Sequence, residues 1–150
     1  MAPNALEHPS RPMIELLHNY YFSNVDPMFK VLHRPSVTEL MLNGKPYLGH
    51  KPDEPAVGAL SFAVYYAAIN TQNEYNCKQS FGDEKISLLN KYRFAFEVCL
   101  ARADFVNCVE IEVIQAFVIF LVSCSFLVLA SVMSADCCEL LSLVGVCPLE

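Results

Sequence analysis

Past Arg102 the chain has no lysine or arginine, although Asp104, Glu110, Glu112, Asp136, Glu139 and Glu150 all follow. Ten acids balance the ten bases up to that point, so the whole net charge of −6 sits on the last third. Phosphate contact needs clustered Lys and Arg, and this distribution argues against direct nucleic-acid binding. Glycine is also scarce: the five are scattered, and none builds a loop that cradles phosphate. G-x-S-x-G, H-E-x-x-H and C-x-x-C are missing, and with them the usual sequence signs of a hydrolase, a zinc protease or a thiolate metal site. Strand-like alternation, solenoid repeats and low-complexity tracts are absent too.

What the chain does have is a core to bury. Its 150 residues fit one domain, and 54% hydrophobic against 17% charged residues is too apolar for a disordered chain. The seven cysteines (Cys77, Cys99, Cys108, Cys124, Cys137, Cys138 and Cys147) are odd in number and mostly embedded in apolar helical patterns. The start, Met1-Ala2-Pro3-Asn4, is too polar for a signal peptide. The expectation is reduced thiols acting as small core residues; adjacent Cys137 and Cys138 point to different sides of a helix and make a poor chelate.

Residues 1–9 read as a loose lead. Ser10-Arg11-Pro12 then offers a cap and a proline in a first turn, and Ile14, Leu17 and Tyr21 with Leu16 and Tyr20 keep helical spacing. Two further prolines punctuate the next stretch. Asp26-Pro27 predicts a tight corner with Asp26 capping a short helix, Met28 to His33, and Arg34-Pro35 predicts another helix, Ser36 to Leu42, stopped by Asn43-Gly44. Phe22, Phe29 and Leu32 are expected in the core. Lys45 to Pro55 reads as a surface loop.

Val57 to Ile69 is apolar nearly all round, with small Gly58, Ala59, Ala63 and Ala67, and belongs in the middle of a helical layer. Asn70 to Ser80 is polar and without period. A long helix is expected after Asp83 as cap, with Leu88, Tyr92, Ala95 and Cys99 in one row and Ile86, Leu89, Phe96, Leu100 and Ala103, with Arg93 as the polar member, beside it. A break near Asn107 precedes the last segment, which starts at Glu110.

From Val113 to Ala135 there is no charge. Those 23 residues make about 34 Å of helix at roughly 1.5 Å each, enough to cross a bilayer core of about 30 Å. Gln115, the serines and the lack of flanking Lys or Arg favour a buried central helix, with a single-pass membrane anchor as the alternative.

Candidate chemistry is thin. His33 is expected to cap carbonyls at the end of the short helix before it. His8, His18 and His50 lack ligands at useful spacing, apart from a surface contact between Glu15 and His18. Glu110 and Glu112, two apart, do not face the same way on a helix, which disfavours a paired-carboxylate site. No catalytic, cofactor-binding or metal-binding residue is expected, and an enzyme is not indicated.

Four blocks nonetheless resemble a known family. R-P-x-x-x-x-L-x-x-x-Y-F-x-N-V-D-P-x-F-x-V-L-H-R-P-S (Arg11 to Ser36), A-L-S-F-A-V-Y-Y-A-A-I (Ala59 to Ile69), L-L-N-K-Y-R-F-A-F-E-V-C-L-A-R-A-D-F (Leu88 to Phe105) and V-I-Q-A-F-V-I-F-L (Val113 to Leu121) are similar to the fungal-specific transcription factor domain, in that domain's order. This is the helical middle region of regulators that carry a binuclear zinc cluster of six cysteines nearer their N-terminus. The resemblance implies an all-α fold, an irregular multi-helix array that is the N-terminal part of a larger helical domain. It also implies a nuclear role in transcription regulation, modulating a DNA-binding module rather than touching DNA. Zinc would belong to that module, whose ligand residues have no positions here; a coregulator or a second copy of the chain are the implied partners.

The resemblance covers 10–122. In 123–150 the family's pattern gives way to a divergent apolar tail, where the family's domain continues through more helices. A truncated gene product or a retained intron is the expectation, since Val122-Ser123 can be encoded by the GTRAGT of a splice donor.

Overall fold

The computed structural model describes residues 7–28, 30–107 and 110–132, the last seven by backbone alone. Six α-helices follow in order: α1 Arg11–Tyr20, α2 Arg34–Asn43, α3 Pro55–Asn70, α4 Glu74–Phe81, α5 Lys85–Arg102 and α6 Ile111–Val132. No strand is formed among the described residues, and the fold is all-α.

Helix α3 is the axis of the molecule. Every residue from Ala56 to Ile69 is buried, because α1, α5 and α6 pack around it. Its sequence explains this: with no charged side chain between Pro55 and Asn70, no face is suited to water. Phe62, Tyr65 and Tyr92 form a ring cluster between α3 and α5, and Tyr66, Phe96 and Phe120 join α3, α5 and α6. Burial pushes the Tyr65 and Tyr66 hydroxyls well above their usual range and Tyr92 up to about 12. Cys77, Cys99 and Cys124 are free and buried, in keeping with thiols used as small apolar residues.

Pro12 and Pro35 start helices where expected, and Pro55 opens α3 in the same way; each stands in a first turn, where the missing N–H costs nothing. Gly44, in the left-handed region at φ 64°, ends α2.

The Asp26-Pro27 corner differs from the sequence reading. Helix α1 runs on into a π-helical turn, Tyr21–Val25, closed by a hydrogen bond from Asp26 N to Tyr21 O of 3.1 Å. Asp26 therefore keeps helical angles and ends one helix instead of capping the next; its Oδ1 is buried without a hydrogen-bond partner among the described residues. Neither Met28 nor Lys30 to His33 is helical. Tertiary contact overrides local propensity here: the Val31 carbonyl accepts a hydrogen bond from Gln115 Nε2 of α6 at 3.2 Å, not from its own segment. Phe22 and Leu32 are buried as expected, while Phe29 lies outside the described residues.

The polar stretch after Asn70 also holds a helix. In α4 the Asn73 side chain accepts from Asn76 N at 2.7 Å, a standard cap, and Cys77 and Phe81 supply its buried face. Asp83 does not cap α5; Glu74 of α4 reaches over and accepts from Lys85 N at 2.9 Å. Two helix starts are thus tied by neighbouring residues.

Helix α6 uses one side to pack. Val113, Ala116, Ile119, Phe120 and Cys124 are buried, while Ile111, Ile114, Val118 and Leu121 are exposed. Asn70 Nδ2 donates to Ser123 O at 2.9 Å and anchors its middle to the end of α3. Among the described residues no helix is long and apolar enough to cross a membrane, which goes against the anchor considered for 113–135. Residues 133–135 and the remainder of the tail lie outside the described residues.

Candidate functional site

Polar groups converge where the loop after α2 meets the first turns of α6. Tyr47 and His50 face each other across a two-residue turn, with Tyr47 N to His50 O at 2.8 Å and His50 N to Tyr47 O at 2.9 Å. Both central residues have positive φ, Leu48 at 50° and Gly49 at 86°. That conformation suits glycine, but at Leu48 it is strained, a cost of roughly 1–2 kcal/mol for an L side chain. The strain is offset by what the two flanking side chains reach.

Tyr47 is buried, and its hydroxyl donates to Gln115 Oε1 at 3.0 Å. Gln115 passes the contact on to the Val31 carbonyl, so a single side chain ties three separate segments. His50 Nδ1 donates to Glu54 Oε2 at 2.7 Å, and its Nε2 faces Glu112 Oε1 at 3.5 Å. Glu54 is fixed in turn by the Lys51 N–H, which donates to Oε1 at 3.2 Å. Glu112 is only 1% exposed. His50, Glu110 and Glu112 bring one ligand-type atom each to within 4.8 Å of one another.

The electrostatics follow from this crowding of carboxylates. The hydrogen bond to Glu54, then the charges of Glu112, Glu54 and Glu110, raise the His50 pKa above the usual imidazole value. The same hydrogen bond and the Lys51 N–H hold Glu54 below the usual carboxylate value. Glu112, buried as it is, needs a cation beside it, since burying an unpaired charge is costly, and His50 is the group that faces it.

Two expectations from the sequence fail here. Glu110 precedes α6 and is not helical, so the two-apart argument against a Glu110–Glu112 pair does not apply. His50 finds its carboxylates across the fold, not on its own element. The only local signal was Glu54, four residues on from His50.

The other histidines are structural. His33 stands at the start of α2, its Nδ1 2.9 Å from Ser36 Oγ, and not at the end of a preceding helix. His18 does not sit on the surface beside Glu15: it is buried, with Nε2 2.8 Å from Thr38 Oγ1 and its ring against Phe22, while Glu15 pairs with Arg11. Burial lowers the His18 pKa, opposed by Asn19 and helped by Arg34. His8 stacks on Phe62 with Nδ1 3.1 Å from the Tyr65 hydroxyl, and desolvation lowers its pKa as well. It borders an open cleft of about 250 Å³ that Glu54, Gly58, Cys99 and Arg102 also line.

At least five of the ten basic side chains have partners within the chain. Arg11 pairs with Glu15, Lys45 with Glu39 and Arg93 with Glu97; Lys85 Nζ donates to Asn70 O, and Arg34 lies over the Phe22 ring. No concentrated positive surface is left for a phosphate backbone among these residues.

No family model matches the chain, and no solved structure matches it. Characterised relatives do. The chain is 42% identical over 103 residues, 69% of its length, to "C6 finger domain transcription factor adaR" of Aspergillus niger, of which this covers 13%. It is 38% identical over 125 residues, 82% of its length, to "Transcription factor vrtR2" of Penicillium aethiopicum, covering 15% of that protein. With "Aurofusarin cluster transcription factor aurR2" of Gibberella zeae the identity is 34% over 121 residues, 79% of this chain and 18% of the relative. The chain therefore spans less than a fifth of the length of these relatives, and over most of its own length it is similar to a region of fungal transcription factors.

Proposed function

We propose that this chain forms the N-terminal part of the fungal-specific transcription factor domain, the helical region that regulates the activity of a DNA-binding module. The observation that carries this is the identity of 34–42% with fungal transcription factors over 69–82% of the chain. Within the reading, residues 10–122 are the regulatory region and 123–150 a divergent tail. The setting is the nucleus. DNA is reached through a zinc-cluster module outside this chain, and the direct partners are coregulator proteins or a second copy of the chain.

Physical chemistry supports the division of labour. A region whose bases are balanced by acids up to Arg102, with none beyond it and three of the ten in ion pairs within the chain, has little to offer a phosphate backbone. The named relatives are transcription factors, and the reading is that of a regulator.

Fluorescence anisotropy with labelled duplex DNA tests it. The purified chain is expected to leave the anisotropy unchanged even at low salt. A binding curve whose affinity falls steeply with salt would overturn the proposal, because it would place phosphate contacts on this chain.

A further inference from the structure

We propose that His50, Glu110 and Glu112 bind a divalent transition-metal ion of the zinc class, with Glu54 as the group that orients the histidine. Nδ1 donates to Glu54 at 2.7 Å, which leaves Nε2 as the ligand atom on the other side of the ring. Facing it at 3.5 Å is an oxygen of Glu112, a carboxylate that is 1% exposed. A positive charge belongs between the two: without metal the Nε2 proton of an imidazolium supplies it, and a divalent ion would take that proton's place.

The spacing indicates what fits. A charge-assisted N–H to carboxylate hydrogen bond is about 2.7–2.9 Å long, and 3.5 Å is well beyond it. Two ligands on one tetrahedral zinc, each about 2.0–2.1 Å from the metal, are about 3.4 Å apart. The third atom, from Glu110, lies within 4.8 Å of both. A carboxylate on the far nitrogen is the usual outer partner of a metal-bound histidine, fixing its ring and raising its basicity. One imidazole with two carboxylates suits zinc, cobalt or manganese better than magnesium or calcium, which favour oxygen ligands throughout. The metal would join the strained Tyr47–His50 turn to the first turn of α6.

Cobalt(II) titration of the full chain, followed by visible absorption in a buffer that does not chelate, tests the site and separates it from the seven cysteines. The expected result is one equivalent bound, with weak d–d bands and no thiolate-to-cobalt charge-transfer band. His50→Gln and Glu110→Gln should each weaken binding at least tenfold, and Glu54→Gln tenfold or more through loss of the outer partner. Circular dichroism would confirm that each variant remains helical; both ligand substitutions are at partly exposed positions, so one failing to fold leaves the other. Saturation unchanged in the folded variants, a thiolate band in place of the weak bands, or no binding at all would overturn the proposal.

Discussion

Cys99 Sγ lies 3.0 Å from where a Cβ on Gly58 would stand, so α3 and α5 meet at the one glycine within α3. The approach lets Phe62 of α3 stack against Tyr92 of α5. Gly58→Val should therefore destabilise the chain by about 1–3 kcal/mol through overpacking. Adding Cys99→Ala should recover part of that loss, with a coupling of at least about 0.5 kcal/mol in a double-mutant cycle measured by urea unfolding. Additive effects would show that the two helices do not touch there.

Helix α6 offers an internal control for a helix packed on one side. Ile119 is fully buried and its neighbour Val118 is 38% exposed. Ile119→Ala should cost about 2–5 kcal/mol, whereas Val118→Ala should cost less than about 1 kcal/mol. Equal costs would mean that α6 is rotated relative to its described packing, or that a partner covers the outer face in solution.

Leu48 carries a left-handed backbone that glycine adopts without strain. Leu48→Gly should raise the urea midpoint, by up to about 1 kcal/mol of stability, since the leucine side chain is half exposed and gives up little burial. A lowered midpoint would mean that the side chain packs more than its exposure suggests.

His18 sets a pH dependence whose sign can be worked out. Its folded pKa is lowered by burial, so between that value and about 6.5 the unfolded chain binds more protons than the folded one. Stability should fall as pH drops through about 6.5 and level off below the folded pKa. His18→Gln should flatten that part of the profile in thermal melts from pH 8 to pH 5. An unchanged profile would show that His18 does not remain neutral in the fold.

Much of the fold could be read in the sequence because its signals are local. Proline at a first turn, glycine after a last turn and an all-apolar α3 each act within a few residues, and the structure keeps them. Helix α4 was missed because only Cys77 and Phe81 mark its buried face, and its cap residue Asn73 sits in a polar run that also reads as loop. The Met28 to His33 helix was expected from its flanking prolines, yet Val31 gives its carbonyl to Gln115. The candidate site was hidden for the same reason. Tyr47 and Gln115 are 68 positions apart, and the turn that aims His50 at Glu112 depends on a leucine in a conformation that sequence patterns assign to glycine or asparagine.

Reporter output tests most directly whether this helical block regulates transcription through its packed fold. The direct measurement is reporter output in fungal cells from the whole chain fused to a heterologous DNA-binding domain with an activation domain. The expected result is a change in output relative to the same fusion without the chain, and loss of that change with Leu60→Asp, which places a charge in the fully packed face of α3. Output identical with and without the chain, at equal fusion-protein levels, would contradict the claim.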